Sequence, residues 1–195
     1  MASAISLDAQ LAPPVSLHRF TVAQYRQLGE LGVLTPEDNV ELLEGLIVAK
    51  MNHRPIHSFI VGLLNQLFQQ KLPTGWIVRC QLPVTTERSE PEPDLVILRA
   101  AHADFRQRHP AGGDCRLVIE VADTSLEKDR AKATIYRIAG VHEYWIINIV
   151  EKCFERYEFS GSQSNVRHTL IHGDSHVSLS FSQVELTLEL KEVFE

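Results

Sequence analysis

Apolar positions recur along the chain with two periods, and their alternation predicts the order of elements. Val22, Tyr25 and Leu28 fall at helical spacing behind Thr21, a residue type that caps helices, so a helix is predicted to about Leu31, where Gly29 and Gly32 weaken it. Thr35 to Asn39 reads as a turn or a short helix start. Val40 to Val48 places Glu44-Gly45 between two apolar runs, the pattern of a tight hairpin. From Arg54 to Leu72 the positions Ile56, Phe59, Ile60, Leu63, Leu64, Leu67 and Phe68 follow the i, i+3, i+4 rhythm, with Pro55 at a first-turn position that tolerates it. One face of that helix is expected to be core.

The rhythm then changes to that of strands. Trp76 to Thr85 is strand-like, and Glu90-Pro91-Glu92-Pro93 leads in extended form to a strand from Asp94 to Leu98. A polar connection, Ala100 to Asp114, precedes Arg116 to Val121, whose Leu, Val and Ile predict a central strand covered on both faces. Thr124 or Ser125 can cap a helix to about Ala139, with Gly140 as its left-handed terminator, and Tyr144 to Ile149 is another buried strand. Strand, helix, strand here predicts a right-handed parallel crossover. After Lys152, short alternating strands broken at Ser160-Gly161-Ser162 and Gly173-Asp174 predict a β-meander to Glu195. Residues 1 to about 15 lack periodicity and are expected to form a mobile arm, leaving 16–195 as one α/β domain with a β-rich C-terminus.

Composition narrows the function classes. An apolar content of 44% with 23% charged residues is ordinary for a globular chain, and the formal charge of −6 excludes a protein coated in basic surface. No run approaches the roughly 18 apolar residues of a membrane helix, and Met1 to Val15 lacks the features of a secretion signal, so no membrane association and a cytoplasmic location are expected. Cys80, Cys115 and Cys153 are odd in number and far apart, which favours small buried thiols.

Chemistry concentrates between Pro93 and Trp145. Asp94 opens one strand and Glu120 nearly closes another, so neighbouring strands of suitable register bring two carboxylates to one divalent ion; in the wrong register they are unrelated acids facing water. Lys128, Lys132 and Tyr136 form an i, i+4, i+8 stripe, either leaning over the sheet end to stabilise phosphoryl charge or lying on a solvated helix face. Glu41 and Glu44 flank the hairpin turn, where exposed acids are common, and Glu41 could join the ion's shell. His57 reads as a supporting or phosphate contact. His53 and His57 are four apart but Pro55 lies between them and no third ligand is evident, and His168, His172 and His176 lie on strand and turn, which scatters them. Neither a phosphate-cradling Gly-x-x-x-x-Gly-Lys loop nor a Gly-x-Ser-x-Gly elbow is present.

The ordered set of Val40 to Val48, His57, Pro93-Asp94, Glu120-Val121, Asp129 with Lys132 and Tyr136, and Gly140-Val141-His142-Glu143-Tyr144-Trp145 resembles the Uma-type, restriction-endonuclease-like family within the PD-(D/E)xK nuclease superfamily. The resemblance runs from about Phe20 to the C-terminus. It implies a mixed central sheet flanked by helices, and a site in which Glu41, Asp94 and Glu120 bind Mg²⁺ or Mn²⁺. The superfamily lysine two positions after Glu120 is replaced by Ala122, so the lysine role passes to Lys132, with Lys128 in reserve. Asp123 stands where the family more often has a small hydroxyl residue. The implied activity is hydrolysis of DNA, with Lys132 positioning or deprotonating the attacking water and Arg99, Arg106, Arg108 and Arg130 available to the backbone. A homodimer suits double-strand cutting. The competing readings are a non-catalytic nucleic-acid-binding or assembly module on the same fold, and hydrolysis of a small phosphodiester or nucleotide.

Overall fold

The computed structural model describes residues 16–100, 105–160, 165–181 and 184–194. The expected N-terminal arm, the tip at Gly161-Ser162 and Glu195 lie outside the described residues. Helix α1 (Val22–Glu30) is followed by a 3₁₀ turn (Pro36–Asp38) and by the hairpin β1 (Val40–Leu43) and β2 (Leu46–Ala49). Helix α2 (Pro55–Lys71) leads to β3 (Trp76–Cys80) and β4 (Leu95–Arg99). Next come β5 (Cys115–Ala122), α3 (Leu126–Ile138), β6 (Glu143–Asn148), β7 (Cys153–Ser160) and β8 (Asn165–His172). The chain closes with β9 (His176–Phe181), β10 (Val184–Glu189) and a short helix α4 (Leu190–Phe194).

The central sheet has six strands in the order β3-β4-β5-β6-β7-β8, parallel only between β5 and β6. It is the mixed sheet expected of the restriction-endonuclease-like class. Alternation along its strands feeds two cores. Leu95, Ile97, Leu117, Ile119, Val121, Trp145 and Ile147 face α2, joined there by the β9–β10 hairpin and α4. Val96, Leu98, Val118, Ala122, Tyr144 and Ile146 face Ala133 and Tyr136 of α3. Cys80, Cys115 and Cys153 are free thiols, two of them buried. Among the described residues no helix is long and apolar enough to cross a membrane.

Several expectations need correction. The strand from Trp76 ends at Cys80, because Gln81 turns into the left-handed region at φ 49°. The β-rich tail divides: β7 and β8 extend the main sheet, β9 and β10 pair separately, and the last described residues are helical. On α2 the inward stripe is His57, Ile60, Val61, Leu64 and Phe68, leaving Ile56 43% and Phe59 64% exposed. The apolar rhythm missed this rotation because a polar residue, His57, holds one of the inward places.

Candidate active site

Three segments distant in the chain deliver the acids to the end of the sheet where β4 begins and β5 finishes. The hairpin turns through Glu44 at φ 49° and Gly45 at φ 78°, the backbone of a two-residue primed turn. This leaves Glu41 on β1, 1% exposed rather than on an open turn, while Glu44 at the tip faces Arg88. An antiparallel bridge between Leu42 and Glu90 ties β1 to the extended segment before Asp94, with Glu90 N–H donating to Leu42 O at 2.8 Å. Glu92 N–H then donates to Glu41 Oε2 at 3.4 Å. Asp94 lies one residue ahead of β4, and pairing of Leu95 with Ile119 sets it beside Glu120. Its backbone N–H donates to Glu120 Oε2 at 3.3 Å, and its own Oδ2 accepts from Val121 N–H at 2.8 Å.

The lysine stripe lies over these acids. Lys132 Nζ is 3.0 Å from Glu120 Oε1, 3.1 Å from Glu41 Oε1 and 3.9 Å from Asp129 Oδ1. Lys128 Nζ donates to Glu41 Oε1 at 3.0 Å from a more open position. Tyr136 Oη–H donates to Glu120 Oε1 at 3.0 Å, and the buried His57 sets Nε2 3.0 Å from Asp94 Oδ2. Glu41, Asp94, Glu120 and Lys132 thus meet in one place, with His57, Lys128 and Tyr136 against them. Ala122 shares the face of Glu120 but is packed with Ala133, so α3 supplies the lysine that β5 lacks.

A cavity of about 350 Å³ opens over this cluster. Its wall carries six acids, Glu41, Glu92, Asp94, Glu120, Asp123 and Asp129, against the four cations Lys50, Arg54, Lys128 and Lys132. The donors are hard oxygens of the kind Mg²⁺ and Mn²⁺ take. Glu41, Asp94 and Glu120 could hold such an ion, which would have to share Glu41 and Glu120 with the Lys132 ammonium that lies between them. Arg54 and His57 from the start of α2 and Thr124 and Ser125 from the start of α3 also line the cavity, so two helix N-termini, favourable to anions, face it.

Burial and charge set the protonation states. Burial pushes Glu120 up to about 8, opposed by Lys132 and reinforced by Asp129, Asp94 and Glu41. Burial acts the same way on Glu41, but Lys132 and Lys128 outweigh it and hold that carboxyl below its ordinary value. Asp129 is raised by burial, with Lys132 and Ser125 acting against the rise. For Lys132, burial alone would lower the pKa, yet Glu120, Glu41 and Asp129 hold the ammonium charged well above its ordinary value. A lysine so held donates hydrogen bonds and does not take a proton from water.

Some residues fall elsewhere than expected. Arg99 lies at the far end of β4 from Asp94, with its guanidinium 5.2 Å from the Trp76 ring. Arg108 pairs with Asp114 at 2.7 Å, and Arg130 is bound to the buried Glu155 at 2.7 Å. Besides Lys128 and Lys132, the cations at the cavity are Lys50 and Arg54, the latter bound to Asp123. Asp129 also belongs to the site; its place three residues before Lys132, on the same helix face, was the available signal. Ser125 precedes α3, but its hydroxyl bonds the Asp129 carboxylate instead of a backbone N–H. His53 and His57 do acquire a third neighbour, Asp94.

The motif around Tyr144 holds this arrangement together. Tyr144 Oη–H donates to Asp129 O at 2.9 Å, fastening α3, and Trp145 Nε1–H donates to Glu143 Oε2 at 3.0 Å beneath it. Residues 22–189 match the family model Uma2, described as "Putative restriction endonuclease". The chain belongs to the Uma2 family. A crystal structure of "a putative nuclease belonging to DUF820" from Anabaena variabilis shares the Uma2 chain's fold with a TM-score of 0.70 at 17% identity, covering 90% of this chain and 97% of that one. At that identity the likeness speaks for the fold. No protein of curated function matches the sequence.

Proposed function

We propose that the protein is a divalent-metal-dependent endonuclease that hydrolyses phosphodiester bonds of DNA, using Mg²⁺ or Mn²⁺. The observation that carries the reading is the convergence of Glu41, Asp94 and Glu120 with a charged Lys132 in one cavity. Family membership supports the reaction class. Glu41, Asp94 and Glu120 would hold the ion. When bound, it supplies Lewis-acid polarisation of the scissile phosphate and a water of lowered pKa.

The chain's own residues account for the remaining work. Asp94 is fixed by Val121 N–H and His57, and Glu120 by Tyr136, so both carboxylates are oriented before substrate arrives. Lys132, kept charged by three acids, donates to phosphoryl oxygens as negative charge grows on them. Lys128, Lys50 and Arg54 at the more open wall would attract the polyanion locally, which suits a chain of net charge −6 whose surface is not generally basic. Two copies, each cutting one strand, would produce a double-strand break.

The test is cleavage of supercoiled duplex DNA, with single-stranded DNA, RNA and a small phosphodiester as parallel substrates, in Mg²⁺ or Mn²⁺. Wild type nicks the duplex, and Asp94→Asn or Glu120→Gln lowers the rate roughly 100-fold or more. Cleavage that survives both substitutions rejects the site. A wild-type chain with neither cleavage nor heat of Mn²⁺ binding is a binding module on a nuclease fold.

A further inference from the structure

Beside the carboxylate set lies a second group of ligating atoms that shares only Asp94 with it. His53, His57 and Asp94 each offer one such atom, and the three lie within 4.8 Å of one another. Sequence alone gave two histidines four apart, separated by a proline. The local backbone explains how they meet: Arg54, the N-cap of α2, is extended at φ −79° and ψ 159°, and Pro55 opens the helix. The exposed His53 thereby comes over His57, with ring centroids 4.0 Å apart and 24° between the planes.

His57 does not have the bonding of a satisfied core histidine. It is 4% exposed, and its Nδ1 is buried with no hydrogen-bond partner among the described residues. A neutral imidazole carries one N–H and one lone pair. Asp94 Oδ2, which already accepts from Val121 N–H, lies 3.0 Å from Nε2, the ring nitrogen on the side of the cluster. An ion shared with Asp94 takes the Nε2 lone pair, the ring proton then lying on Nδ1. A nitrogen and a carboxylate oxygen 3.0 Å apart in a buried place call for a proton or a cation between them, and a cation is a partner imidazole and carboxylate readily share.

We propose that His53, His57 and Asp94 form a second metal site, selective for a nitrogen-seeking first-row divalent ion such as Zn²⁺, Co²⁺ or Ni²⁺. Imidazole favours these ions, whereas the all-carboxylate set favours Mg²⁺ or Mn²⁺. Three protein donors leave a coordination position for water or a phosphate oxygen, as in catalytic zinc sites and unlike closed structural ones. An ion lies in the plane of each imidazole that binds it, so the stacked His53 ring turns out of its present orientation on binding. Its exposure gives it the room to do so. The inference stands apart from the nuclease reading, since the histidine site can bind an ion whether or not the carboxylate site cuts DNA.

Titration of the full chain with Co²⁺, followed by its visible ligand-field absorption, tests the assignment, with calorimetry for Zn²⁺. Wild type is expected to bind one Co²⁺ with the spectrum of a nitrogen-containing site, and excess Mg²⁺ does not displace it. Affinity falls roughly tenfold or more in His53→Ala, and the spectrum is lost in His57→Gln. Glu41→Gln and Glu120→Gln retain the spectrum even where Mg²⁺-dependent cleavage is gone, which separates this site from the nuclease reading. His53→Ala, at an exposed position, decides the matter if His57→Gln fails to fold. Unchanged Co²⁺ affinity in His53→Ala, or a wild-type chain that binds no Co²⁺, overturns the proposal.

Discussion

Lys132 Nζ lies 3.0 Å from Glu120 Oε1, with side chains 4% and 6% exposed, so a buried cation from α3 is bonded to the acid at the end of β5. The same nitrogen serves Glu41 at 3.1 Å. Lys132→Met leaves two buried carboxylates without their shared cation. Thermal or chemical denaturation is expected to show a loss of about 3–5 kcal/mol, and cleavage to fall roughly 100-fold. Lys132→Arg should not restore activity, because a planar guanidinium cannot replace a point charge among three acids. Full activity in Lys132→Met would return the lysine role to Lys128.

Glu120 links stability to pH. Its carboxyl rises from 4.5 to about 8, first through burial. Between those values the folded chain keeps a proton that the unfolded chain has released. The stability from this group is complete below the lower value and is lost as pH rises through the upper one. Denaturation without metal should show stability declining from about pH 5 to about pH 8, a decline that Glu120→Gln flattens. Glu41, whose pKa is lowered, acts in the opposite sense: its contribution is present above 4.5 and lost as pH falls, so the acid limb survives in Glu120→Gln. Under the proposed function, binding of a divalent ion would expel the Glu120 proton, and affinity by calorimetry should rise about tenfold per pH unit up to about pH 8.

The difference between what sequence disclosed and what it hid follows chain distance. Helix α3, its end at Gly140 and the Glu44-Gly45 turn were legible because local pattern determines each. Family motifs indicated which acids to group. No local pattern could show Leu42 bridging Glu90, the contact that carries Glu41 to Asp94, nor Arg54 reaching Asp123 across 69 positions. The stripe also left Lys128 and Lys132 equivalent. Burial separates them, with side chains 27% and 4% exposed, and that depends on how α3 seats on the sheet.

That seating depends on Arg130 and Glu155. Glu155 on β7 is fully buried and accepts from Arg130 Nε at 3.0 Å and Nη2 at 2.7 Å. Arg130→Met leaves that carboxylate only the longer bonds from Tyr157 and Asn148, at a cost of about 1–3 kcal/mol and a melting temperature lower by about 5 °C. Adding Glu155→Gln to Arg130→Met should recover much of the loss. A single substitution costing under about 1 kcal/mol would show that the pair does not fix α3.

Gly45 controls the acid from the other side of the site. It holds φ +78°, and a Cβ there would meet Arg19 Cβ at 2.7 Å and Phe20 O at 3.0 Å. Gly45→Ala therefore combines backbone strain with a collision against the segment that Phe20 N–H pins to Gly45 O at 2.8 Å. Gly32 supplies the control, since its φ is +68° but nothing lies within 4 Å of an added Cβ. Gly32→Ala should cost about 1 kcal/mol through strain alone and leave Mn²⁺ affinity unchanged. Gly45→Ala should cost more, shift β1, and weaken Mn²⁺ binding as Glu41 leaves its place. Equal metal affinity in the two variants would mean that Glu41 does not help to hold the ion.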